Sequence, residues 1–355
     1  MIEAYGWSPV LQAVFQPFAD EGLSPARVIV QERSHYRLVT PIGEVAAQLS
    51  GRLHFGVGDE AYPVAGDWVA VSLREQERGA TIHHVLPRRT AFMRKAAGRA
   101  QVSQVVAANI DIVLIVTSLN QDLNLRRLER TLAIAWESGA RPVIILTKTD
   151  ICADVDTQVR RVESVADGIL VLPVSAVTGQ GMAEFRDLIS PGMTAVILGS
   201  SGVGKSTLVN ALVGEDVMAV RAIRASDGRG QHTTTQRELV LLPQGGCILD
   251  TPGMRELGLW EAEDGVATTF ADIEALAAQC RFRNCTHHTE PGCAVQEALA
   301  AGTLDPGRWQ SFGKLQKELL QRERREAHPA VTVQRKTKPK GTASSHRRNQ
   351  DQEEE

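Results

Sequence analysis

The residues best suited to chemistry form one glycine-rich run, GSSGVGKST, at residues 199–207. It fits the phosphate-binding pattern G-x-x-x-x-G-K-[ST]. A β-prone apolar run precedes it and a helix-compatible apolar run follows it, which is the strand, loop and helix context that the pattern requires. Backbone N–H groups of such a loop surround a phosphate chain, the lysine reaches the β- and γ-phosphates, and the serine hydroxyl binds Mg²⁺. A glycine-rich turn with a chance Lys-Ser is the alternative, and both flanks argue against it. The predicted phosphate site comprises Gly199, Ser200, Ser201, Gly202, Val203, Gly204, Lys205, Ser206 and Thr207.

Two further polar segments suit the phosphate end of the same nucleotide. The sequence DTPG, with Asp250 and Gly253 at its ends, follows an apolar strand-like run. An aspartate there can hold Mg²⁺ through water, and the glycine N–H can sense a γ-phosphate. The polar stretch 228–235 ends in three threonines, of which Thr234 is our predicted Mg²⁺ ligand beside Ser206 and Asp250.

The sequence TKTD at Thr147, Lys148, Thr149 and Asp150 also follows an apolar strand-like run. The carboxylate of Asp150 can accept hydrogen bonds from guanine N1 and N2, and adenine lacks that pair of donors. Backbone N–H groups of Ser175 and Ala176, after the next strand-like run, can support the same base. Each of these signals is weak alone. Together with the glycine-rich loop they indicate a guanine nucleotide.

Three of the five cysteines crowd into one short segment with histidines. This spacing indicates a metal site in a reducing cytoplasm rather than disulfides. Three thiolates and one imidazole form a closed tetrahedral set that is typical of a structural Zn²⁺. His288 lies next to His287 and is the alternative imidazole ligand, and free surface thiols are the alternative to a metal. The predicted zinc ligands are Cys280, Cys285, His287 and Cys293.

The length of 355 residues indicates two or three domains, and the net charge of −3 requires any nucleic-acid role to rest on local patches. The N-terminus lacks a basic, apolar leader, and no run is long enough to span a bilayer. We therefore expect a cytoplasmic protein without membrane contact.

The first part of the chain alternates short β-like runs with turn residues, which predicts a small barrel. A five-stranded OB-like barrel is our expectation, although the pattern does not separate it from an SH3-like barrel. A helix at residues 7–19 is expected to pack on it. The predicted strands are 27–31, 36–40, 44–48, 67–72 and 81–86.

The basic segment 87–104 has no clean period and is predicted to be a linker. Its cationic side chains either touch phosphates or are simply solvated. They are Arg88, Arg89, Arg94, Lys95 and Arg99.

From residue 109 strands and helices alternate, which predicts a mostly parallel, doubly wound sheet. Because ligands bind beyond the carboxyl ends of such strands, all the loops described above should share one edge. Residues 271–320 are predicted to be helical around the Cys/His segment. The polar residues 322–355 are predicted to be disordered, as a solvated or an RNA-binding tail.

The order of these signals is unusual, because the base-reading loops precede the phosphate loop. Such an order is a circular permutation, which a compact domain with adjacent termini permits. The chain thus resembles the RsgA family, bacterial circularly permuted GTPases of the YlqF/YawG type that depend on the small ribosomal subunit. The resemblance covers about residues 27–320. It rests on PVAGDWV (63–69), RKAAG (94–98), TKTD, GSSGVGKST, HTTT, DTPG and the Cys/His segment.

The resemblance implies a multidomain α/β fold with an OB-like barrel, a circularly permuted GTPase domain and a helical zinc domain. The predicted bounds are 1–90 for the helix and barrel, 91–108 for the linker, 109–268 for the GTPase domain, 269–322 for the zinc domain and 323–355 for the tail. It favours His287 as the zinc ligand and places a catalytic histidine at His232. Met254 stands where many GTPases have a water-orienting glutamine, so we expect slow unaided hydrolysis. Thr147 stands where the family usually has asparagine, which predicts weaker binding of guanine.

The implied function is that of a monomeric GTPase that binds the 30S subunit and its 16S rRNA. It would hydrolyse GTP to GDP and phosphate slowly alone and faster on the subunit, and would help to release an assembly factor such as RbfA. A nucleotide-gated rRNA-binding scaffold with incidental hydrolysis is the alternative. A P-loop kinase of a small metabolite is a third class, against which Asp150 and the lack of a lid-like arginine cluster argue.

Overall fold

The N-terminal strands close into a five-stranded barrel. The computed structural model describes residues 1–32, 35–55, 62–74, 78–95, 103–120, 123–213, 237–250 and 263–327. Strands β1 (Ser24–Glu32), β2 (His35–Thr40), β3 (Gly43–Leu49), β4 (Trp68–Arg74) and β5 (Gly79–Val85) pair in the order β1-β2-β3-β5-β4, and β4 returns to β1. Only the β3–β5 pair is parallel. The closed barrel confirms the OB-like prediction.

Two short helices accompany the barrel. α1 (Pro9–Asp20) begins at Ser8, whose hydroxyl accepts a hydrogen bond from the Leu11 N–H at 3.3 Å. α1 buries Leu11 and Phe15, and Trp7 just before it lies 4.9 Å from the Trp68 ring of β4. α2 (Gly51–Phe55) follows β3. The helix predicted at residues 7–19 thus packs on the barrel.

The predicted linker forms a β-hairpin. β6 (Ala91–Lys95) pairs antiparallel with β7 (Ser103–Ala108). The sequence did not predict this hairpin, because basic residues interrupt the alternation of apolar and polar residues along its strands. The Arg88 guanidinium pairs with the buried Asp67 carboxylate at 2.8 Å, and Arg89 pairs with Asp111 at 2.9 Å. Arg88 is therefore part of the barrel's own polar structure rather than a free phosphate contact, and Arg99 lies outside the described residues.

The strands of the central sheet are β8 (Ile112–Ser118), β9 (Arg141–Thr147), β10 (Val171–Pro173), β11 (Thr194–Leu198), β12 (Arg237–Leu241) and β13 (Cys247–Asp250). They have the order β10-β9-β8-β11-β13-β12, and all except β12 are parallel. Successive side chains of β8 pack on opposite faces of the sheet. Ile112, Leu114 and Val116 pack in one core, and Val113 and Ile115 pack in the other. Both faces are therefore covered, as a doubly wound fold requires. The helices are α3 (Leu125–Glu137), α4 (Val155–Glu163), α5 (Met182–Asp187) and α6 (Lys205–Val213).

The barrel and the central sheet are joined by backbone pairing. β12 pairs antiparallel with β1, with Val30 opposite Glu238, so both sheets form one eleven-stranded sheet. The buried Arg27 reinforces this junction from β1. Its guanidinium donates to the Gly66 carbonyl at 3.2 Å and to the Thr194 hydroxyl of β11 at 2.8 Å. A fully buried cation with several acceptors fixes the relative placement of the two parts.

The C-terminal part is helical and packs on α3. It comprises α7 (Glu263–Thr269), α8 (Ala271–Ala277), α9 (Ala294–Ala300) and α10 (Pro306–Ala327). Gly265 allows α7 to approach α3 closely, because a Cβ there would lie 2.1 Å from the Ala133 carbonyl oxygen. α10 runs to Ala327, so the tail predicted from residue 322 is helical in its first residues. Gln, Arg, Glu and Ala are strong helix formers, which continue the helix without an apolar face.

The remaining residues of the predicted tail lie outside the described part of the chain. None of the helices in the described part is long and apolar enough to span a membrane. The domain bounds drawn from the sequence stay predictions.

Candidate nucleotide site and metal centre

The glycine-rich loop lies between β11 and α6 at the carboxyl edge of the sheet. Gly199 has φ 152° and a Cβ there would lie 2.3 Å from the Val116 carbonyl oxygen, so only glycine fits. The Lys205 ammonium donates to the Gly199 carbonyl at 2.7 Å and to that of Ser200. Val203 is buried, whereas Ser206 is exposed at the first turn of α6. Val203 therefore anchors the loop in the core, the half-buried Lys205 folds back onto the loop carbonyls, and Ser206 is exposed.

The TKTD segment contacts this loop from the end of β9, which β8 separates from β11 in the sheet. The buried Thr147 hydroxyl, at the end of β9, donates to the Val203 carbonyl at 2.6 Å. Lys148 has φ 63°, and its ammonium donates to the Gly202 carbonyl at 2.9 Å. The base-reading segment and the phosphate loop are thus linked by two side-chain bonds. Sequence reasoning missed this role of Thr147, because its partner lies 56 positions away.

The Asp150 carboxylate is exposed and oriented by a buried serine. The Ser175 hydroxyl donates to Asp150 Oδ1 at 2.6 Å. Ser175 Oγ in turn lies 3.3 Å from the Val177 N–H and 3.2 Å from the Thr178 N–H, both of which donate to it. The Ser175 hydroxyl therefore orients an exposed carboxylate through one of its oxygens. The sequence predicted a backbone role for Ser175 and Ala176, and the structure adds the side-chain role of Ser175.

The structure brings the predicted phosphate loop, TKTD and Ser175 to one edge of the sheet, as the parallel topology requires. Asp250 is the last residue of β13, and β13 pairs with β11, so its backbone lies at the same edge. His232, Thr234, Gly253 and Met254 lie outside the described residues. Their predicted parts in Mg²⁺ binding and catalysis stay predictions.

Helix α3 connects this edge to the C-terminal helices. A groove of about 220 Å³ lies between α3 and the phosphate loop, with Arg127 and Thr131 on one side and Gly199 and Ser200 on the other. The Arg308 guanidinium of α10 reaches the buried Glu129 of α3 at 3.0 Å. One helix therefore lines the groove beside the phosphate loop and also contacts the C-terminal helices.

The four predicted zinc ligands meet in one cluster, in which all ligand atoms lie within 4.8 Å of one another. His287 Nδ1 lies 3.4 Å from Cys280 Sγ and 3.5 Å from Cys293 Sγ. The geometry selects His287 over His288, which is not part of the cluster. Three sulfur donors and one imidazole nitrogen suit a tetrahedral, closed metal site. The ligands are Cys280, Cys285, His287 and Cys293.

Polar contacts around the cluster orient its loop. The Gln296 amide donates to the His287 carbonyl at 2.6 Å, and the Trp309 ring meets the His287 ring edge-on at 5.8 Å. The Glu290 carboxylate accepts hydrogen bonds from Thr286 and from the His288 N–H, and these bonds lower its pKa. Such supporting contacts fix ligand orientation in metal sites.

The comparisons with known proteins agree with this architecture. A family model described as RsgA GTPase matches residues 85–260. A relative from Opitutus terrae, named small ribosomal subunit biogenesis GTPase RsgA, is 46% identical over 330 residues and covers 89% of both chains. The chain belongs to the RsgA family. It is therefore a GTPase, and a family relative of the same name from Streptomyces avermitilis is 47% identical over 88% of this chain and 84% of its own.

Solved structures confirm the permuted GTPase fold. YjeQ from Thermotoga maritima matches with a TM-score of 0.64 and 25% identity, over 84% of this chain and 99% of that one. YloQ, described as a circularly permuted GTPase, matches with a TM-score of 0.61 over 84% of this chain and 96% of that one, at 22% identity.

Proposed function

We propose that the chain binds the small ribosomal subunit through its 16S rRNA in the cytoplasm and assists late maturation of that subunit by hydrolysing GTP. The relatives' printed name supports the subunit as the partner. The observation that carries the nucleotide part is the direct link between the base-reading segment and the phosphate loop, made by Thr147 and Val203. This bond fixes the base-reading segment against the phosphate loop, so that one nucleotide can contact both.

In this proposal residues 199–207 hold the phosphates, and Thr147, Lys148, Thr149 and Asp150 hold the base with Ser175 and Ala176. Asp150 accepts hydrogen bonds from guanine N1 and N2, while the Ser175 hydroxyl orients its carboxylate through Oδ1. Gly253 senses the γ-phosphate. Ser206, Thr234 and Asp250 would hold Mg²⁺, which would supply positive charge beside the phosphates.

The catalytic group proposed here is His232, which would orient the attacking water or take its proton near neutral pH. Because Met254 cannot orient water, the free protein hydrolyses GTP slowly and the subunit accelerates it. We propose one structural zinc at the Cys/His cluster, a monomeric state, and a part in releasing an assembly factor such as RbfA. The donor set of three thiols and one imidazole supports zinc.

The test is GTP turnover by the purified protein with and without small ribosomal subunits. We expect turnover to rise and to saturate with subunit concentration. His232→Ala should bind GTP and subunits normally but lose about a hundredfold or more of the stimulated rate. A rate of GTP turnover that does not change when small subunits are added would refute the proposal and favour the scaffold alternative. Full stimulation of the His232→Ala variant would remove His232 from the catalytic step.

A further inference from the structure

The TKTD segment and the loop of residues 175–180 are joined by one exposed glutamine, Gln180. The Thr149 hydroxyl donates to Gln180 Oε1 at 3.2 Å, and the Ser175 N–H donates to the Gln180 carbonyl at 2.9 Å. Thr149 directly precedes Asp150, and Ser175 orients the Asp150 carboxylate. Gln180 therefore contacts both residues that hold this carboxylate in place, one through its side chain and the other through its backbone.

The backbone on either side of Gln180 is fixed. Gly181 has φ 69°, and a Cβ there would lie 2.3 Å from the Pro173 carbonyl oxygen, so the chain after Gln180 lies directly against β10. The Gly179 N–H donates to the Ser175 carbonyl at 2.9 Å, which closes the loop before Gln180. The side chain of Gln180 therefore starts from a defined position when it reaches across to Thr149.

The side chain of Gln180 is not required to close its own loop, because any residue at this position supplies the same carbonyl. Its amide oxygen instead crosses to a segment that follows another strand, β9. Thr149 is 5% exposed, and a buried hydroxyl that loses its acceptor is destabilising. The bond therefore favours one position of Thr149, and with it one position of the neighbouring Asp150.

We propose that Gln180 is a positioning residue for guanine recognition, which holds Asp150 where its carboxylate meets N1 and N2 of the base. The Ser175 hydroxyl sets the direction of the carboxylate, and the bond from Thr149 to Gln180 sets the backbone that carries it. Hydrogen bonds weaken steeply when donor and acceptor are misaligned, so a small shift of Asp150 costs base recognition. This inference deepens the proposed function and rests on it, because it assigns a further residue to the same guanine site.

The test compares GTP with inosine triphosphate, which lacks only the N2 amino group of guanine. The Kd of each nucleotide is measured with the full-length protein by competition against a fluorescent GDP analogue. Gln180→Ala should lower the ratio of the Kd for inosine triphosphate to the Kd for GTP by about fivefold, because Asp150 no longer meets N2 well. A loss of stability alone would weaken both nucleotides equally and leave this ratio unchanged. Gln180→Glu, which keeps an oxygen acceptor for Thr149, should retain the wild-type ratio.

Gln158→Ala is the matched control. It removes the same type of side chain, whose Oε1 accepts a hydrogen bond from Arg161 at 2.8 Å on the surface of α4, and it should keep the wild-type ratio. Thr149→Val removes the donor of the proposed bond and reports on it independently of Gln180. If the two residues act through one bond, the double variant of Thr149→Val and Gln180→Ala should have a ratio no lower than that of Thr149→Val alone.

A wild-type ratio in Gln180→Ala, or effects of the two substitutions that simply multiply in the double variant, would overturn the inference. Asp150→Asn is measured in the same assay with xanthosine triphosphate, which tests the guanine site itself. A switch of that variant towards xanthosine triphosphate, together with an unchanged ratio in Gln180→Ala, would reject Gln180 alone. The absence of such a switch would remove the proposed guanine site, and the inference with it.

Discussion

Replacing Arg308 by methionine tests how the C-terminal helices are held on the GTPase domain. Arg308 is 7% exposed, and its guanidinium donates to Glu129 at 3.0 Å, to the two Asp272 oxygens at 2.7 and 2.9 Å, and to the Thr269 carbonyl at 2.9 Å. Methionine keeps much of the apolar volume of the side chain but makes none of these bonds.

The magnitude follows from what the substitution leaves behind. Glu129 is fully buried, and its Oε2 already has no hydrogen-bond partner among the described residues. Removing one partner of a buried ion pair costs about 3–5 kcal/mol, because the other charge remains uncompensated. Arg126 still contacts Glu129 at 2.7 Å, so the lower end, about 3 kcal/mol, is expected.

The assay is amide hydrogen exchange of α8 and α10, which reports local opening of the C-terminal part. A loss of about 3 kcal/mol corresponds to exchange faster by about a hundredfold. Arg130→Met is the matched control, because it breaks the Arg130–Glu318 pair at 2.8 Å between two side chains that are each more than a third exposed. Exposed pairs contribute about 0–1 kcal/mol, so this variant should change exchange little.

A second substitution checks the cause. Glu129→Gln in the Arg308→Met background removes the uncompensated charge and should recover part of the lost protection. Exchange in Arg308→Met that is no faster than in Arg130→Met would refute the reasoning, because docking would then depend on apolar packing alone.

Four further outcomes are expected. Thr147→Val, which keeps the shape but loses the hydroxyl, should weaken GTP binding about tenfold in a fluorescent-nucleotide titration. Equal affinity would show that the bond from Thr147 to the Val203 carbonyl does not support nucleotide binding. Asp150→Asn should weaken GTP binding and improve binding of xanthosine triphosphate in competition assays, whereas an unchanged preference would exclude it from the base site. Cys293→Ser should lower the zinc content measured by elemental analysis and the thermal stability of the C-terminal part; a wild-type protein without zinc would refute the metal assignment. Burial alone would raise the pKa of Asp272, but hydrogen bonds and charge from Arg308 outweigh burial and lower that pKa. Protection of the C-terminal amides from hydrogen exchange should therefore persist above about pH 4 and fall as the pH drops further. Hydrogen exchange measured at a series of pH values can check this.

The parts of the site that the sequence predicted are those encoded by local spacing. The phosphate loop needs its glycines within a few positions because the backbone itself binds there, and the cysteines need short spacing to share one ion. Alternating strands and helices place their loops on one edge, so the meeting of TKTD with the phosphate loop also followed. The spacing of turn residues predicted a small barrel but did not separate an OB-like from an SH3-like barrel. The pairing of β4 with β1 in the structure closes the barrel in the OB-like order.

The parts that were missed depend on contacts between distant positions. Thr147 was expected only to weaken base binding, since nothing local shows that its hydroxyl reaches Val203. The hairpin of β6 and β7 has no regular alternation, because its first strand carries Arg94 and Lys95. Arg308 and Glu129 are 179 positions apart, and a charged residue in a polar helix gives no sign of burial.

The pairing of β12 with β1 has a practical consequence for dissecting the chain. A fragment that ends before residue 109 would leave the end of β1 without its β12 partner, and a fragment that begins there would leave Arg237 and Glu238 of β12 without theirs. Unpaired strand edges recruit other strands, so each half would tend to self-associate on its own. Insolubility of an isolated half would then reflect a severed sheet rather than an intrinsically unstable core. Fragments intended for study need that edge capped, by a charged residue on the outer strand or by co-expression of the missing half.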